Sequence, residues 1–216
     1  MTTDGDGDPE VLALYREGVL AVADRSSLVE WDVAACGAWT AAEVARHVAS
    51  VARWYDQWLD RALTGDADPP FPSTELPRRN DEEIHARAAQ DPDEAVVEFV
   101  DTAGRYADRL SGHWDTPYGY PFGTVTAGLH AAVAASEWHL HAWDLARAAG
   151  DRHRPSDPGA LFRAAGRCVT TAQGGLVGAA QAGLVRLAAP IRPWEQMLRA
   201  SGRRSGAVGR RAFYRG

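Results

Sequence analysis

The chain has 216 residues, of which 45% are hydrophobic, 24% charged and 9% aromatic, a composition that excludes wholesale disorder and fibrous structure. That length suits one good-sized domain with a real core. A formal net charge of −6 argues against a surface built to neutralise phosphates, so nucleic acid is not an expected partner.

Every one of the 23 basic residues is arginine, which removes Schiff-base lysine chemistry and a P-loop lysine from consideration. Cys36 and Cys168 lie far apart with no CxxC, so neither a disulfide framework nor a cysteine zinc site is indicated. A reducing cytoplasm is the expected location. The segment from Met1 to Glu10 is acidic and glycine-rich where a signal peptide needs a basic and then an apolar run. No apolar stretch approaches the ~18 residues of a membrane span, so no membrane partner is expected.

Strand signals are almost absent, while Ala/Leu/Val/Arg/Glu runs with helical spacing recur between Pro/Gly/Asp clusters, which predicts an all-α chain. A first helix begins with Asp8 as cap and Pro9 at its first position, carries Val11, Leu12, Tyr15, Val19 and Val22, and stops near Ser26. Thr40 and Glu43 form a capping box for a second helix that buries Val44, Val48, Val51, Tyr55 and Leu59. The proline-rich stretch from Gly65 to Arg79 reads as a long crossover loop, followed by a short polar helix over Asp81 to Ala89. A third long helix starts after Pro92 and buries Val96, Phe99, Val100, Ala103, Tyr106 and Leu110. A loop from His113 to Gly123 leads to a fourth long helix over Thr124 to Ala149, stopped by Gly150.

Beyond it, Gly159 to Leu187 is helical in composition but spotted with glycine, and Pro193 opens a last short helix through Trp194, Met197 and Leu198. The glycines Gly174, Gly175 and Gly178 make no phosphate loop, because no strand precedes them and no Gly-Lys follows. The tail arginines Arg203, Arg204, Arg210 and Arg211 read as a solvated terminus. The expectation is one domain over 1–216: a four-helix-bundle core over 9–150, a helical extension over 156–203 and a loose tail over 204–216.

Chemistry concentrates in the fourth helix. At about 100° per residue from Val133, Leu140 falls near −20°, Asp144 near 20°, Glu137 near 40° and His141 near 80°. One apolar stripe therefore carries three polar groups, with Glu137 and His141 neighbours at i and i+4. His139, at about 240° by the same arithmetic, lies on the opposite side. On the second helix, His47 stands at about −60° from Val44, at the edge of the core face. Two buried imidazoles and a carboxylate cost several kcal/mol unless each finds a partner, and one divalent cation satisfies all three. Against that stands the plainer reading of a hydrogen-bonded Glu–His pair and a core histidine. His130, at about 60°, is a further ligand, a pocket residue or core packing. His85, His113 and His153 fall in polar or loop segments and are expected to be solvated. Cys36 is read as a small buried hydrophobe.

The segments Cys36-Gly37-Ala38-Trp39-Thr40-Ala41-Ala42-Glu43-Val44-Ala45-Arg46-His47 and Glu137-Trp138-His139-Leu140-His141-Ala142-Trp143-Asp144-Leu145-Ala146-Arg147 together resemble the DinB-like proteins of the mycothiol-dependent maleylpyruvate isomerase group. The resemblance runs over residues 10–150, and Trp194 to Arg203 is similar to the closing element of such proteins. It implies a DinB-like four-helix bundle in which His47, Glu137 and His141 bind one divalent metal, zinc by preference. The implied chemistry is activation of a low-molecular-weight thiol, mycothiol, for S-transfer to a small electrophile or for its thiol-assisted isomerisation.

In that setting Trp39, Tyr55, Trp58, His130 and Trp143 are candidate pocket residues. Asp144 would orient a ligand or substrate, and Arg147, with Arg46 beside it, would hold a substrate carboxylate. A monomer or homodimer is expected. The competing expectation is a non-catalytic DinB-like stress protein that binds metal or a small molecule, the metal being structural.

Overall fold

Asp8 accepts hydrogen bonds from the amides of Glu10 and Val11, and Pro9 fills the first position of α1, Pro9–Ser26, so this helix starts and stops where the sequence predicts. It belongs to a computed structural model that describes residues 8–172 and 192–203. Helix α2, Ala41–Leu63, opens on the expected capping box: the Glu43 amide donates to Thr40 Oγ1 at 3.3 Å and the Thr40 amide donates to Glu43 Oε2 at 2.7 Å. A polar helix α3, Leu76–Ala86, precedes α4, Pro92–Arg109. Then α5, Ala127–Ala148, is capped by Thr126 and stopped at Gly150, followed by α6, Pro158–Ala172, and α7, Pro193–Ala200.

Two local expectations are corrected. Helix α3 begins at Leu76, inside the stretch predicted as loop, because Pro77 occupies the first turn, where a missing amide donor costs nothing. The chain also forms two small antiparallel hairpins. One pairs β1, Ala34–Cys36, with β2, Trp39–Thr40. The other pairs β3, Pro117–Tyr120, with β4, Gly123–Thr126, where a loop was expected. Strands this short give no run of alternation to detect; burial of Tyr118 opposite Val125 anchors the second pair.

Helices α1, α5, α2 and α4 form the bundle, with α1 lying along α5 and α2 along α4, and α6 and then α7 pack on outside α5. Helices α1 and α5 fit tightly at Gly18, where an added Cβ would stand 2.8 Å from Trp138 Cβ. By contrast α2 and α5 approach each other least of the adjacent pairs, and long polar side chains span the seam. On α4 the buried face holds Ala95, Phe99, Thr102, Ala103 and Tyr106, while Val96 and Val100 are only half-buried.

The face of α5 opposite the seam turns toward α1. There His139 Nε2 donates to the Leu14 carbonyl at 3.0 Å, so its Nδ1 accepts from His153 Nε2 at 2.9 Å. His153 is thus buried and paired where solvation was expected; it is brought in by the chain's return after Gly150. The glycines Gly174, Gly175 and Gly178 and the tail arginines Arg204, Arg210 and Arg211 lie outside the described residues, as does the side chain of Cys168.

Candidate metal centre

His47 stands two turns into α2, and Glu137 and His141 stand one turn apart on α5, facing it across the seam. Each offers one donor atom, and the three atoms lie within 4.8 Å of one another. His47 Nε2 is 3.4 Å from Glu137 Oε1, and the two imidazole rings are 4.9 Å apart and nearly perpendicular. Both histidines are buried and Glu137 is half-buried. The Tyr55 hydroxyl donates to Glu137 Oε2.

Burial and mutual contacts shift the three groups in different directions. Burial pushes the Glu137 carboxyl up, yet hydrogen bonding to His47 and the charges of both histidines override it and hold the carboxyl at about 2. Burial pushes His47 down, against the pull of Glu137. Burial also opposes charge on His141, but hydrogen bonds to Asp144 and Cys36 and the charge of Asp144 together outweigh it and raise His141 to about 9. An anionic carboxylate among imidazoles is a donor set suited to zinc or a similar divalent ion. Asp144 strengthens the fit: its Oδ2 accepts from His141 Nδ1 at 3.1 Å, which leaves the other ring nitrogen, Nε2, as the donor to a metal. The residues present therefore fit the metal that the family resemblance implies.

Cys36, His141 and Asp144 make a second cluster with donors within 4.8 Å, but its place for a cation is taken. Arg203 Nε donates to Asp144 Oδ1 at 2.9 Å, and its Nη2 donates to Asp144 Oδ2 at 2.5 Å and reaches Cys36 Sγ at 3.6 Å. Arg203, read from sequence as solvated tail, is in fact 14% exposed and locked in a bidentate ion pair. Cys36 is half-buried on β1 rather than a core hydrophobe. The detectable signal was Gly202 directly after a short helix, which marks a turn that carries the next residue back.

The remaining sequence candidates divide. Trp39 packs its ring 4.9 Å from that of His47. Trp143 is half-buried, with Arg147 exposed above its ring at 5.4 Å, and both line a cavity of about 900 Å³ that also touches Cys36, Asp144 and Arg203. Arg46 instead spends its guanidinium on the Gln90 carbonyl, at 3.0 and 2.8 Å, bracing the start of α4. Trp58 packs with Trp54, Tyr55 and Phe71. His130 is fully buried beyond Tyr55, with the Tyr106 hydroxyl 2.9 Å from its Nδ1 and the Tyr118 ring stacked on it. Burial lowers His130 to about 3, so it is a neutral member of the aromatic core. His85 and His113 are exposed, as expected.

Fold and cluster together define a DinB-like helical bundle with a two-histidine, one-carboxylate cluster between two of its helices. A family model described as the mycothiol maleylpyruvate isomerase N-terminal domain matches residues 21–146, and the chain belongs to that family. The match takes in His47, Glu137, His141 and Asp144 and ends before α6.

Among solved structures the chain is similar to the mycothiol-dependent maleylpyruvate isomerase, with 23% identity and a TM-score of 0.56 over 75% of this chain and 67% of that one. A variant of that enzyme with one histidine replaced by alanine gives 23% identity and a TM-score of 0.57 over the same shares. At this identity the likeness is one of fold. No curated protein matches the chain.

Proposed function

We propose that the protein is a metal-dependent enzyme that activates a low-molecular-weight thiol, mycothiol by family, for thiol-assisted isomerisation of a small electrophile or S-transfer to it. The observation that carries this is the convergence of His47, Glu137 and His141 donors within 4.8 Å across the α2–α5 seam. Zinc is the metal this donor set suits best. Among the described residues no fourth protein ligand completes the cluster, since Arg203 engages the nearby Asp144 and Cys36. Three protein ligands with one open position is the pattern of catalytic sites, and it favours the enzymatic reading over a structural metal.

A divalent cation held there would lower the pKa of a thiol at its open position from near 8.5, so that the thiol reacts as a thiolate at neutral pH. The chain's own residues supply the rest. Asp144 holds a proton on His141 Nδ1, which keeps Nε2 free to ligate. Burial keeps the Tyr55 phenol protonated, well above its usual range, so its hydroxyl donates to Glu137 Oε2 and fixes the carboxylate with Oε1 toward His47. Trp39 and Trp143 form apolar walls, and Arg147 at the rim offers a planar donor pair to a substrate carboxylate. No described helix is long and apolar enough to cross a membrane, and a cytoplasmic monomer or homodimer drawing on the cellular thiol pool fits this reading.

Elemental analysis of the wild type beside His47→Ala tests it, both purified without a metal-affinity tag and without added metal. Near one equivalent of zinc in the first, lost in the second, together with thiol-dependent turnover of a small electrophile, is the expected result. A wild type that holds no metal and takes none up refutes the proposal.

A further inference from the structure

We infer that Arg203 is a positioning residue that couples docking of the C-terminal helix α7 to metal affinity at the His47–Glu137–His141 cluster, acting through Asp144. The inference rests on the metal reading above and adds to it a part of the chain outside the family match.

The geometry is a relay of fixed groups. Helix α7 is docked by Trp194, Met197 and Leu198, all buried. Its end is a Schellman turn: the Gly202 amide donates to Arg199 O at 3.0 Å and the Arg203 amide donates to Leu198 O at 2.7 Å, with Gly202 at φ +79°. That turn aims Arg203 back at α5, where its planar fork grips both oxygens of Asp144. Asp144 is 1% exposed, so its carboxylate has no water to turn toward and its plane is set by the guanidinium. The same carboxylate sets the plane of the His141 ring, and with it the direction of the ligating nitrogen.

Removing Arg203 leaves a buried carboxylate beside His141 with one partner instead of two, free to swing the imidazole off its axis. Partners of this kind, one step removed from the ligands, typically govern 10–100-fold in metal affinity. Coupling between two sites is reciprocal, so metal must in turn strengthen the docking of α7 by a comparable factor. Apart from Arg203, α7 packs along α6 and sets the Trp194 ring against His153, contacts that do not touch the cluster.

The test uses the full chain as wild type, Arg203→Met and Arg203→Lys, with cobalt(II) as the metal probe. Expected for Arg203→Met is a 10–100-fold weaker cobalt(II) affinity in chelator competition and an altered visible d–d band, with partial recovery in Arg203→Lys, which restores charge but not the fork. Hydrogen exchange of the amides over residues 194–203 gives a readout independent of turnover. Metal should slow it in the wild type and leave it unchanged in Arg203→Met.

Equal cobalt(II) affinity and an unchanged band in all three proteins, with only the α7 amides exchanging faster in the variants, overturns the coupling and reduces Arg203 to a structural clamp. A wild type that takes up no cobalt(II) overturns the metal reading itself, and this inference with it. The two failures are therefore distinct.

Discussion

Tyr55 donates its hydroxyl to Oε2 of Glu137, the carboxylate oxygen that His47 does not face, so α2 holds the α5 carboxylate by both of its oxygens. The ring of Tyr55, eight residues beyond His47 on α2, thus sets the pose of a candidate metal donor on α5, and no other described residue is seen to bond that oxygen. Tyr55→Phe should keep the bundle intact, because the ring remains buried among Trp58, His130 and Trp138. It frees the carboxylate to rotate, and metal affinity should fall by about 10-fold. Chelator competition with the fluorescent or cobalt-loaded protein measures this; an unchanged affinity would show that the hydroxyl only satisfies a buried phenol.

His141→Ala should be the most damaging change to the cluster. It removes one donor, and it also strips Asp144 of its imidazole partner while Arg203 remains. Metal content should drop to background in elemental analysis. Stability of the metal-free protein should fall by about 1–3 kcal/mol in urea unfolding, the cost of an unmade hydrogen bond to a charged group.

The features legible in the sequence are those set by neighbours along the chain. The Thr40–Glu43 box, Pro9 behind Asp8, and Glu137 one turn before His141 are relations over three or four residues, and all stand in the structure as read. The inward tilt of His47 was legible because a helix wheel needs only the spacing of Val44, Val48 and Val51. What was illegible depends on the chain's return from a distance. Arg203 meets Asp144 across 59 positions, and His153 meets His139 only after the chain turns back at Gly150. Gly202 and Gly150 mark the turns, but no local pattern says which distant residue the returning chain meets. Hairpin β3–β4 escaped for a different reason: four-residue strands held by one buried tyrosine carry too little alternation to separate from loop.

Acid should destabilise the fold well before its carboxylates titrate. Burial lowers both His130 and His153 to about 3, whereas an unfolded histidine binds its proton near 6.5. Between these values the unfolded chain holds protons that the folded one refuses. The stabilisation from each neutral histidine is complete above about pH 6.5 and is lost as pH falls from there toward 3, with a slope of up to about 1.4 kcal/mol per pH unit per group. Urea midpoints measured on metal-free protein should fall steadily between about pH 6.5 and pH 4; above that window His141, raised to about 9, works in the opposite sense, its stabilisation being lost as pH rises toward 9. His130→Phe should lower the slope by about one proton, and a slope unchanged in that variant would count against the assignment.

The approach of α1 to α5 at Gly18 sets the bundle on which the cluster rests. A Cβ added there meets Trp138 Cβ at 2.8 Å, with the His139 ring at 3.3 Å and the Ala135 carbonyl at 3.4 Å. Trp138 is fully buried against Tyr15, Tyr55 and Phe99, so it has no free space to yield into. Alanine in mid-helix would gain about 1 kcal/mol from its better propensity. Forcing a methyl into a packed core costs about 1–3 kcal/mol, so Gly18→Ala should be destabilising overall. Because His139 and the candidate ligands Glu137 and His141 share that length of α5, the strain should also reach the site, and the same variant should bind cobalt(II) more weakly than wild type. A melting temperature at or above that of the wild type, with affinity unchanged, would show that α1 shifts outward to make room without disturbing α5.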